Sequence, residues 1–261
     1  MIAALTCIAL LGGTYQFPVT PVQYSVNVKF DGFLPVFGGQ DGTAEIILGV
    51  SVKGLPDKEG ARRAESELTS AKVLFMGETL PFNVDNVRTY FPKTTIEFTP
   101  QGKITKTDAP DIVLPIRLPG LDVKRFPDVT YMPIEFPTAE LKLNESWTFK
   151  KKLGATEAAY TAKVTELKDD IAIISVDMLQ TTEDLENESL ELVKDEKDAI
   201  ARATTLLVGK GTLQFNWAKH MLKEMTVALE STSTVKTLKT GETKERKLKT
   251  NVLVKLKPDT P

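Results

Sequence analysis

The chain has 261 residues, of which 41% are hydrophobic, so it can bury a substantial core in one large all-β domain or in two smaller ones. Its formal net charge is -2, which provides no long-range attraction to nucleic acid or to an anionic membrane surface. One cysteine and one histidine exclude an internal disulfide and a metal site built from several Cys and His ligands. We therefore expect no metal, no cofactor and no nucleic-acid partner.

Residues 2–11 form a mostly apolar run that ends at Gly12 and Gly13. Such a run is too short to span a bilayer, which needs about 20 apolar residues. Its length and its small-residue end are typical of a secretory signal. We therefore predict that residues 1–13 are a signal peptide and that the mature protein is extracytoplasmic, periplasmic or secreted, without a membrane span. A buried first strand is the alternative, although Ala, Leu and Cys7 are not a strand composition.

The region from residue 14 to residue 108 is predicted to be a first β unit. Apolar residues alternate with polar ones over residues 24–30, which is typical of a strand with one covered face. Further strands are predicted over residues 44–52, 73–76, 95–98 and 103–106. The polar stretch over residues 56–70 is predicted to be either a long surface loop or a short helix.

Residues 109–140 are predicted to form a proline-rich connector between two units. Each proline removes a backbone hydrogen-bond donor, so a central strand cannot run through this region. We expect an extended chain with short edge-strand pieces. The prolines are Pro110, Pro115, Pro119, Pro127, Pro133 and Pro137.

Residues 141–261 are predicted to form the second β unit. Residues 160–164 repeat the alternation of residues 24–28, and residues 171–178 form a second buried run. The acidic stretch over residues 182–202 carries apolar residues at helical spacing, which favours a short surface helix. The last strand, over residues 247–257, places Val252 and Val254 on one face and lysines on the other, where lysines also prevent edge-to-edge pairing.

Two short segments of the sequence match each other place for place. Residues 95–106, TIEFTPQGKITK, align with residues 212–223, TLQFNWAKHMLK. The alignment pairs Phe98 with Phe215 and Ile104 with Met221, around a predicted hairpin turn in each half. Together with the repeated order of strands, this match predicts a mainly β fold of two related, curved antiparallel β-sheet units in tandem, with at most short helices.

No motif in the sequence assigns a catalytic residue. His220 is the only candidate for a histidine general base, and its predicted place in a hairpin turn favours a water-facing position. Ser51 lies in a run similar to a nucleophile elbow, but the glycine two residues later is missing and the pattern is that of a strand. The short serine-enzyme signatures at residues 233–236 and 239–241 lie too close together, and residues 209–212 lack the features of a P-loop.

The acidic residues and the tryptophans are the remaining candidates for binding sites. The stretch over residues 182–202 lacks the spaced Asp and Gly positions of a calcium loop, which favours a solvated acidic surface. Trp147 and Trp217 are predicted to be packing residues, with ligand stacking as the alternative. The sequence therefore assigns no metal-binding residue, and it leaves the ligand-binding residues unknown.

The order of strands, the signal-like N-terminus and the entry to the second unit, LNESW over residues 143–147, resemble a class of exported bacterial β-rich repeat proteins. More loosely, the pattern is similar to the lipoprotein-carrier type, in which a curved antiparallel sheet shelters an acyl chain. The resemblance implies a non-catalytic exported binding or structural protein, with an apolar ligand or an envelope protein as partner. A carboxylate-dependent hydrolase of the cell envelope is the alternative, because 35 Asp and Glu residues could supply its paired carboxylates.

Overall fold

The computed structural model of the protein describes residues 12–35, 39–110, 126–153 and 156–258. These residues form a mainly β fold, as predicted, and the only α-helices among them are single turns at Val84–Arg88 (α1) and Phe126–Thr130 (α2). The strands are β1 (Val22–Leu34), β2 (Gln40–Lys58), β3 (Ala61–Phe75), β4 (Glu78–Thr79), β5 (Thr94–Phe98), β6 (Ile104–Asp108), β7 (Ser146–Leu153), β8 (Thr156–Lys168), β9 (Ile171–Glu186), β10 (Leu192–Val193), β11 (Ala201–Asn216), β12 (Met221–Thr237) and β13 (Thr243–Leu256).

All of these strands belong to one antiparallel sheet with the order β6-β5-β3-β2-β1-β13-β12-β11-β9-β8-β7. The short strands β4 and β10 lie off this path, against β3 and β9. The first and last strands, β1 and β13, pair with each other in the middle of the sheet. The strands predicted for the two units therefore form one continuous sheet, and the division of the chain into two related units stays a prediction.

Strict alternation of residue types explains the central pair of strands. Tyr24, Val26 and Val28 of β1 are buried, and the residues between them are partly exposed. Val26 and Val28 lie opposite Val254 and Val252 of β13, so β-branched side chains meet across the inner face of the sheet. The period of two predicted for both segments is confirmed.

The sheet is curved rather than flat. Strands β9 and β13 are separated by β11 and β12, so in a flat sheet they would lie about 14 Å apart. The guanidinium of Arg246 on β13 nevertheless lies 2.6 Å from a carboxylate oxygen of Glu186 at the end of β9. Phe33 of β1 completes the contact, with its ring centroid 4.5 Å from the Arg246 guanidinium carbon.

The prediction of a loop or short helix over residues 56–70 was wrong. Strand β2 continues to Lys58, a tight turn follows, and β3 begins at Ala61. Glu59 and Gly60 both have positive φ, at 52° and 82°, which is the backbone that a two-residue hairpin turn requires. The inner face of β3 is built from Ala64, Ser66 and Leu68, and the small Ala64 and the polar Ser66 weaken its apolar pattern.

The predicted helix over residues 182–202 was also wrong. Strand β9 runs on to Glu186, and a single 3-10 turn at Glu196–Asp198 precedes β11. Thr182 is buried on the inner face of β9, opposite Thr205 of β11, so the two strands continue together. The long neighbouring strand, rather than the local apolar spacing, decides the conformation here.

The described part of the connector differs from the predicted edge-strand pieces. Residues 111–125 lie outside the described residues, and no strand occurs over residues 126–140. After α2, four large side chains are buried in the core of the protein: Tyr131, Met132, Ile134 and Phe136. Of the predicted signal peptide, residues 1–11 lie outside the described residues.

The two matched segments form the β5–β6 and β11–β12 hairpins, and both hairpins carry a β-bulge at the same place. In the first, Phe98 pairs with Ile104 and Glu97 pairs with Lys106, so Thr105 is the extra residue. In the second, Phe215 pairs with Leu222 and Gln214 pairs with Glu224, so Lys223 is the extra residue. Phe98 and Phe215 are both buried, at 1% and 0% exposure.

The sequence alignment of these hairpins shifts by one residue after the turn. Thr99 bonds Lys103 across a turn of three residues, whereas Asn216 pairs with Met221 across a turn of four. Ile104 therefore corresponds in space to Leu222 and not to Met221. The second hairpin has one more turn residue, and this residue lies in the turn that contains His220.

Candidate functional site

A cleft of about 870 Å³ opens at one end of the sheet, which we call the basal end. The basal end carries the β2–β3, β5–β6, β8–β9 and β11–β12 turns. Three parts of the chain line this basal cleft: the segment before β1, the β11–β12 turn, and the end of β13. The lining residues are Gln16, Phe17, Pro18, Thr20, Pro21, Val22, Asn216, Ala218, Lys219, His220, Met221, Lys223, Leu256, Lys257 and Pro258.

Backbone hydrogen bonds hold the segment before β1 across the basal end. The amide of Tyr15 donates to the carbonyl of Pro100 in the β5–β6 turn at 2.7 Å. The next amide, of Gln16, donates to the carbonyl of His220 in the β11–β12 turn at 3.0 Å. This segment therefore joins the turns of the two matched hairpins and forms one wall of the cleft.

An aromatic cluster fills the inner face of the sheet beneath this wall. The ring of Tyr15 lies 5.3 Å from the ring of Phe215 and 5.5 Å from that of Phe136. Phe17 packs edge-on against Tyr131 at 5.3 Å and against Phe98 at 5.9 Å. Because these rings occupy the inner face, the space open to a ligand at the basal end is the cleft outside the cluster.

The tryptophans belong to this packing, as predicted. Trp147 is buried and its Nε1 donates to the carbonyl of Glu135 at 2.7 Å. The ring of Trp217 lies 5.2 Å from Phe215 and 5.6 Å from Phe136. Neither ring lines the basal cleft.

His220 lies on the cleft wall and is half-buried, instead of pointing fully to water as predicted. Its φ of 55° is left-handed and ends the β11–β12 turn. Its Nδ1 lies 2.9 Å from the hydroxyl of Thr14, which fixes the ring against the N-terminal wall. The predicted turn position is correct, and the extra contact comes from a segment that is distant in sequence.

The β-bulge at Lys223 sets which side chains of β12 face the cleft. Leu222 and Met225 both face the core, opposite Phe215 and Leu213, although a spacing of three residues would put them on opposite faces of a regular strand. The bulge inserts one residue, bends the strand and redirects the side chains around it. Leu222 enters the core, where its carbonyl accepts a hydrogen bond from the Tyr24 hydroxyl at 3.0 Å, and Lys223 is left exposed on the cleft.

The cleft is amphipathic, with apolar walls and positive charge. Phe17, Val22 and Met221 are buried side chains that line it, and Leu256 adds a half-buried one. Lys219, Lys223 and Lys257 line it as well, and no carboxylate does so within the part of the chain that the structure describes. The sequence signalled none of these residues as a site, because the lysines follow the general pattern of solvent-facing positions.

Other candidate residues lie within ordinary strands. Ser51 is in β2, residues 209–212 are in β11 and residues 233–236 are in β12, so none of these segments forms the turn that its motif would need. Within the residues that the structure describes, no group of three or more His, Cys, Asp or Glu is placed to hold a metal ion. The described helices include none that is long and apolar enough to cross a bilayer.

The hydrolase hypothesis needs two close carboxylates whose pKa values are pushed apart. Among the described carboxylates, one has a pKa that clearly departs from its ordinary value, that of Glu65 on β3. Hydrogen bonding from Lys93 lowers this pKa against the opposing effect of burial, and Lys53 lowers it further. The Glu65 carboxylate lies 2.8 Å from Lys93 Nζ and 3.0 Å from Lys53 Nζ, which is the arrangement of a structural ion pair.

No family model matches the sequence, and no curated protein matches it. A solved structure described as "lipid-protein interactions in lipovitellin" is similar, with a TM-score of 0.48 and 12% sequence identity. The match covers 94% of this chain and 25% of that chain, so the protein spans about a quarter of the length of the lipovitellin chain. At this level of similarity the likeness carries no argument about function.

Proposed function

We propose that the protein is a non-catalytic, exported binding protein that holds an apolar ligand in the basal cleft. Export rests on the apolar, signal-like run at residues 2–11. The observation that carries the binding proposal is the cleft itself, whose volume of about 870 Å³ is that of a small-ligand site. Its walls include Phe17, Val22 and Met221, which are largely buried, and the half-buried Leu256, whose apolar surface a ligand would cover.

The way in which the cleft is built also supports a binding role. Its walls come from segments that are distant in sequence but fixed to each other by backbone hydrogen bonds. One is the bond from Gln16 to His220, and another is the bond from the Lys257 amide to the Gln23 carbonyl at 2.7 Å. Walls that are held in this way lose little conformational entropy when a ligand binds.

The uncharged fluorescent probe N-phenyl-1-naphthylamine tests the proposal. We expect the wild-type protein to bind the probe, and Ala218→Phe, on the cleft wall, to weaken binding roughly tenfold because the new ring occupies the cleft. Ala228→Phe is the matched control, because Ala228 is an exposed alanine of β12 that lies outside the cleft. Absence of probe binding, or equal weakening by the two variants, would contradict the proposal.

A further inference from the structure

We infer that the ligand of the basal cleft is a single-chain anionic amphiphile, whose head group is bound by Lys219, Lys223 and Lys257. This inference rests on the proposed function and specifies the ligand class for the same site. The head group is a carboxylate or a phosphate, which share the charge and the hydrogen-bond acceptors that lysines recognise. The alkyl chain would lie against the apolar wall formed by Phe17, Val22 and Leu256.

The first argument is the local imbalance of charge. The whole chain has 33 basic and 35 acidic residues, so an average surface patch would carry both signs. Among the described residues that line the cleft, three are lysines and none is acidic. Like charges that converge on one concave site repel each other, and an anion bound between them removes that repulsion.

The second argument is that these lysines have no acidic partner. Within the described residues, no carboxylate lies within 4.0 Å of the Nζ of Lys219, Lys223 or Lys257, whereas the neighbouring Lys255 lies 3.4 Å from Glu224. Lys255 lies within β13 and is neutralised by Glu224, whereas Lys257 lies beyond the end of the strand and lines the cleft. The positive charge of the cleft is therefore available to a ligand.

The third argument is that the three lysines come from three separate positions. Lys219 is in the turn, where its amide bonds the side-chain oxygen of Asn216 at 2.8 Å. Lys223 is the extra residue of the bulge, and Lys257 follows the last strand. Strand alternation accounts for the solvent-facing positions of most lysines of the sheet. It does not account for three lysines from a turn, a bulge and a strand end that line the same cleft.

The apolar wall and the volume narrow the ligand class. An inorganic anion would leave the half-buried Leu256 uncovered, and a neutral hydrocarbon would leave the lysines without a partner, so the site matches a molecule with both parts. A cleft of about 870 Å³ lies within the range of roughly 300–1,000 Å³ that single small ligands fill. The volume of the cleft therefore favours a ligand with one alkyl chain over a phospholipid with two.

Isothermal titration calorimetry below the micellar concentration tests the inference with four probes of matched chain length: dodecanoate, dodecyl phosphate, dodecanol and dodecyltrimethylammonium. We expect the wild-type protein to bind at least one of the two anions roughly tenfold more tightly than dodecanol, and the cation most weakly. The preferred anion then separates a fatty-acid-type ligand from a phosphorylated one. Added salt should weaken the binding of the two anions and leave the affinity for dodecanol unchanged.

Two triple variants complete the test. Lys219→Gln, Lys223→Gln and Lys257→Gln together should abolish the preference for anions and leave dodecanol binding unchanged. Lys236→Gln, Lys239→Gln and Lys249→Gln together are the matched control, since these are exposed lysines outside the cleft, and should keep the preference.

The outcomes separate this inference from the proposed function. Equal affinity of the wild-type protein for dodecanol and for both anions would overturn the inference and leave the proposed function standing. Binding of inorganic phosphate as tightly as dodecyl phosphate would also overturn it, because the chain would then contribute nothing. Failure of all four alkyl probes to bind would overturn the proposed function as well.

Discussion

The β5–β6 and β11–β12 hairpins share a plan but differ in surroundings. Each has a buried phenylalanine at the end of its first strand and a bulge in its second strand. The first hairpin lies at the edge of the sheet, where β6 has a single strand neighbour among the described strands. The second lies inside the sheet, between β9 and β13, and its turn is one residue longer.

This difference shows how one strand pattern can serve two purposes. In the edge hairpin the extra residue of the bulge is Thr105, whose hydroxyl donates to the carbonyl of Glu97 at 3.1 Å and so bonds back to its own hairpin. In the central hairpin the extra residue is Lys223, which lines the basal cleft. The strand positions are equivalent, and the second hairpin contributes its turn residues and its bulge residue to the wall of the cleft.

The largest expected difference between the hairpins is in the cost of removing the buried phenylalanine. Phe215→Ala should lower the free energy of unfolding by about 3–5 kcal/mol, since the ring packs against Tyr15, Phe136 and Trp217. Phe98→Ala should lower the free energy of unfolding by less, because Phe98 has one ring contact among the described residues, with Phe17, whereas Phe215 has three. Urea denaturation of both variants measures the two losses, and an equal or larger loss for Phe98→Ala would contradict the comparison.

A smaller difference is expected for the hydroxyl groups that hold the two bulges. Tyr24→Phe removes the donor to the buried Leu222 carbonyl and should cost about 1–2 kcal/mol. Burial raises the pKa of Tyr24, and the nearby Tyr131 raises it further, so the hydroxyl stays protonated and can donate. Thr105→Val is the counterpart at an exposed bulge and should cost below about 0.5 kcal/mol. Equal losses of unfolding free energy would show that burial of the bulge is irrelevant.

The smallest expected effect is a pH dependence of the free energy of unfolding, which arises from an ion pair next to the edge hairpin. Glu65 of β3 lies opposite Thr95 of β5 and pairs with Lys93, just before that strand. Because its pKa is lowered in the folded protein, Glu65 stabilises the fold above its ordinary value of 4.5, and this contribution disappears as the pH falls through the lowered pKa. Glu65→Gln should therefore cost below about 1 kcal/mol at neutral pH and nothing in strong acid.

Urea denaturation of the wild type and Glu65→Gln at neutral pH and at about pH 2 measures this change. Lys247, which pairs with Glu245 on β13 at the exposed surface, provides a matched control as Lys247→Gln. In the Lys247→Gln variant, the contribution of Glu65 to the free energy of unfolding should still be lost between neutral pH and acid, as in the wild type. A Glu65→Gln difference that persists or grows in acid would contradict the assignment of this ion pair.

Alternation along single strands was enough to predict the β class and many of the strands. The apolar faces around Tyr24 and Val254 are long and regular, and both strands were found. Strand β3 was predicted only at its end, over residues 73–76, because the buried face of its first part contains Ala64 and Ser66, which a hydrophobic pattern does not register. The burial of Met132 could not be predicted either, because it depends on contacts such as the 2.8 Å bond from Lys151 Nζ to its carbonyl.

The basal cleft could not be predicted because no local segment contains it. Phe17, Lys223 and Lys257 lie far apart in the sequence, and each fits an ordinary interpretation as a packing residue or a solvent-facing lysine. The site exists because the segment before β1 crosses the ends of both hairpins. A sequence signal for it would have required the knowledge that β1 and β13 are neighbours.

That neighbouring position has a consequence for how the protein is made on the ribosome. β1 is synthesised before any other described strand. One of its two edges pairs with β13, the last described strand, so that edge stays unpaired until β13 has been synthesised. Until then its free backbone amides and carbonyls form an open edge that invites pairing with another chain. Pairing of β1 with β13 is therefore a late step between segments that are distant in sequence. Loss of β13 would remove a central strand and separate β1 from β12, whereas loss of an edge strand would leave the rest of the sheet paired.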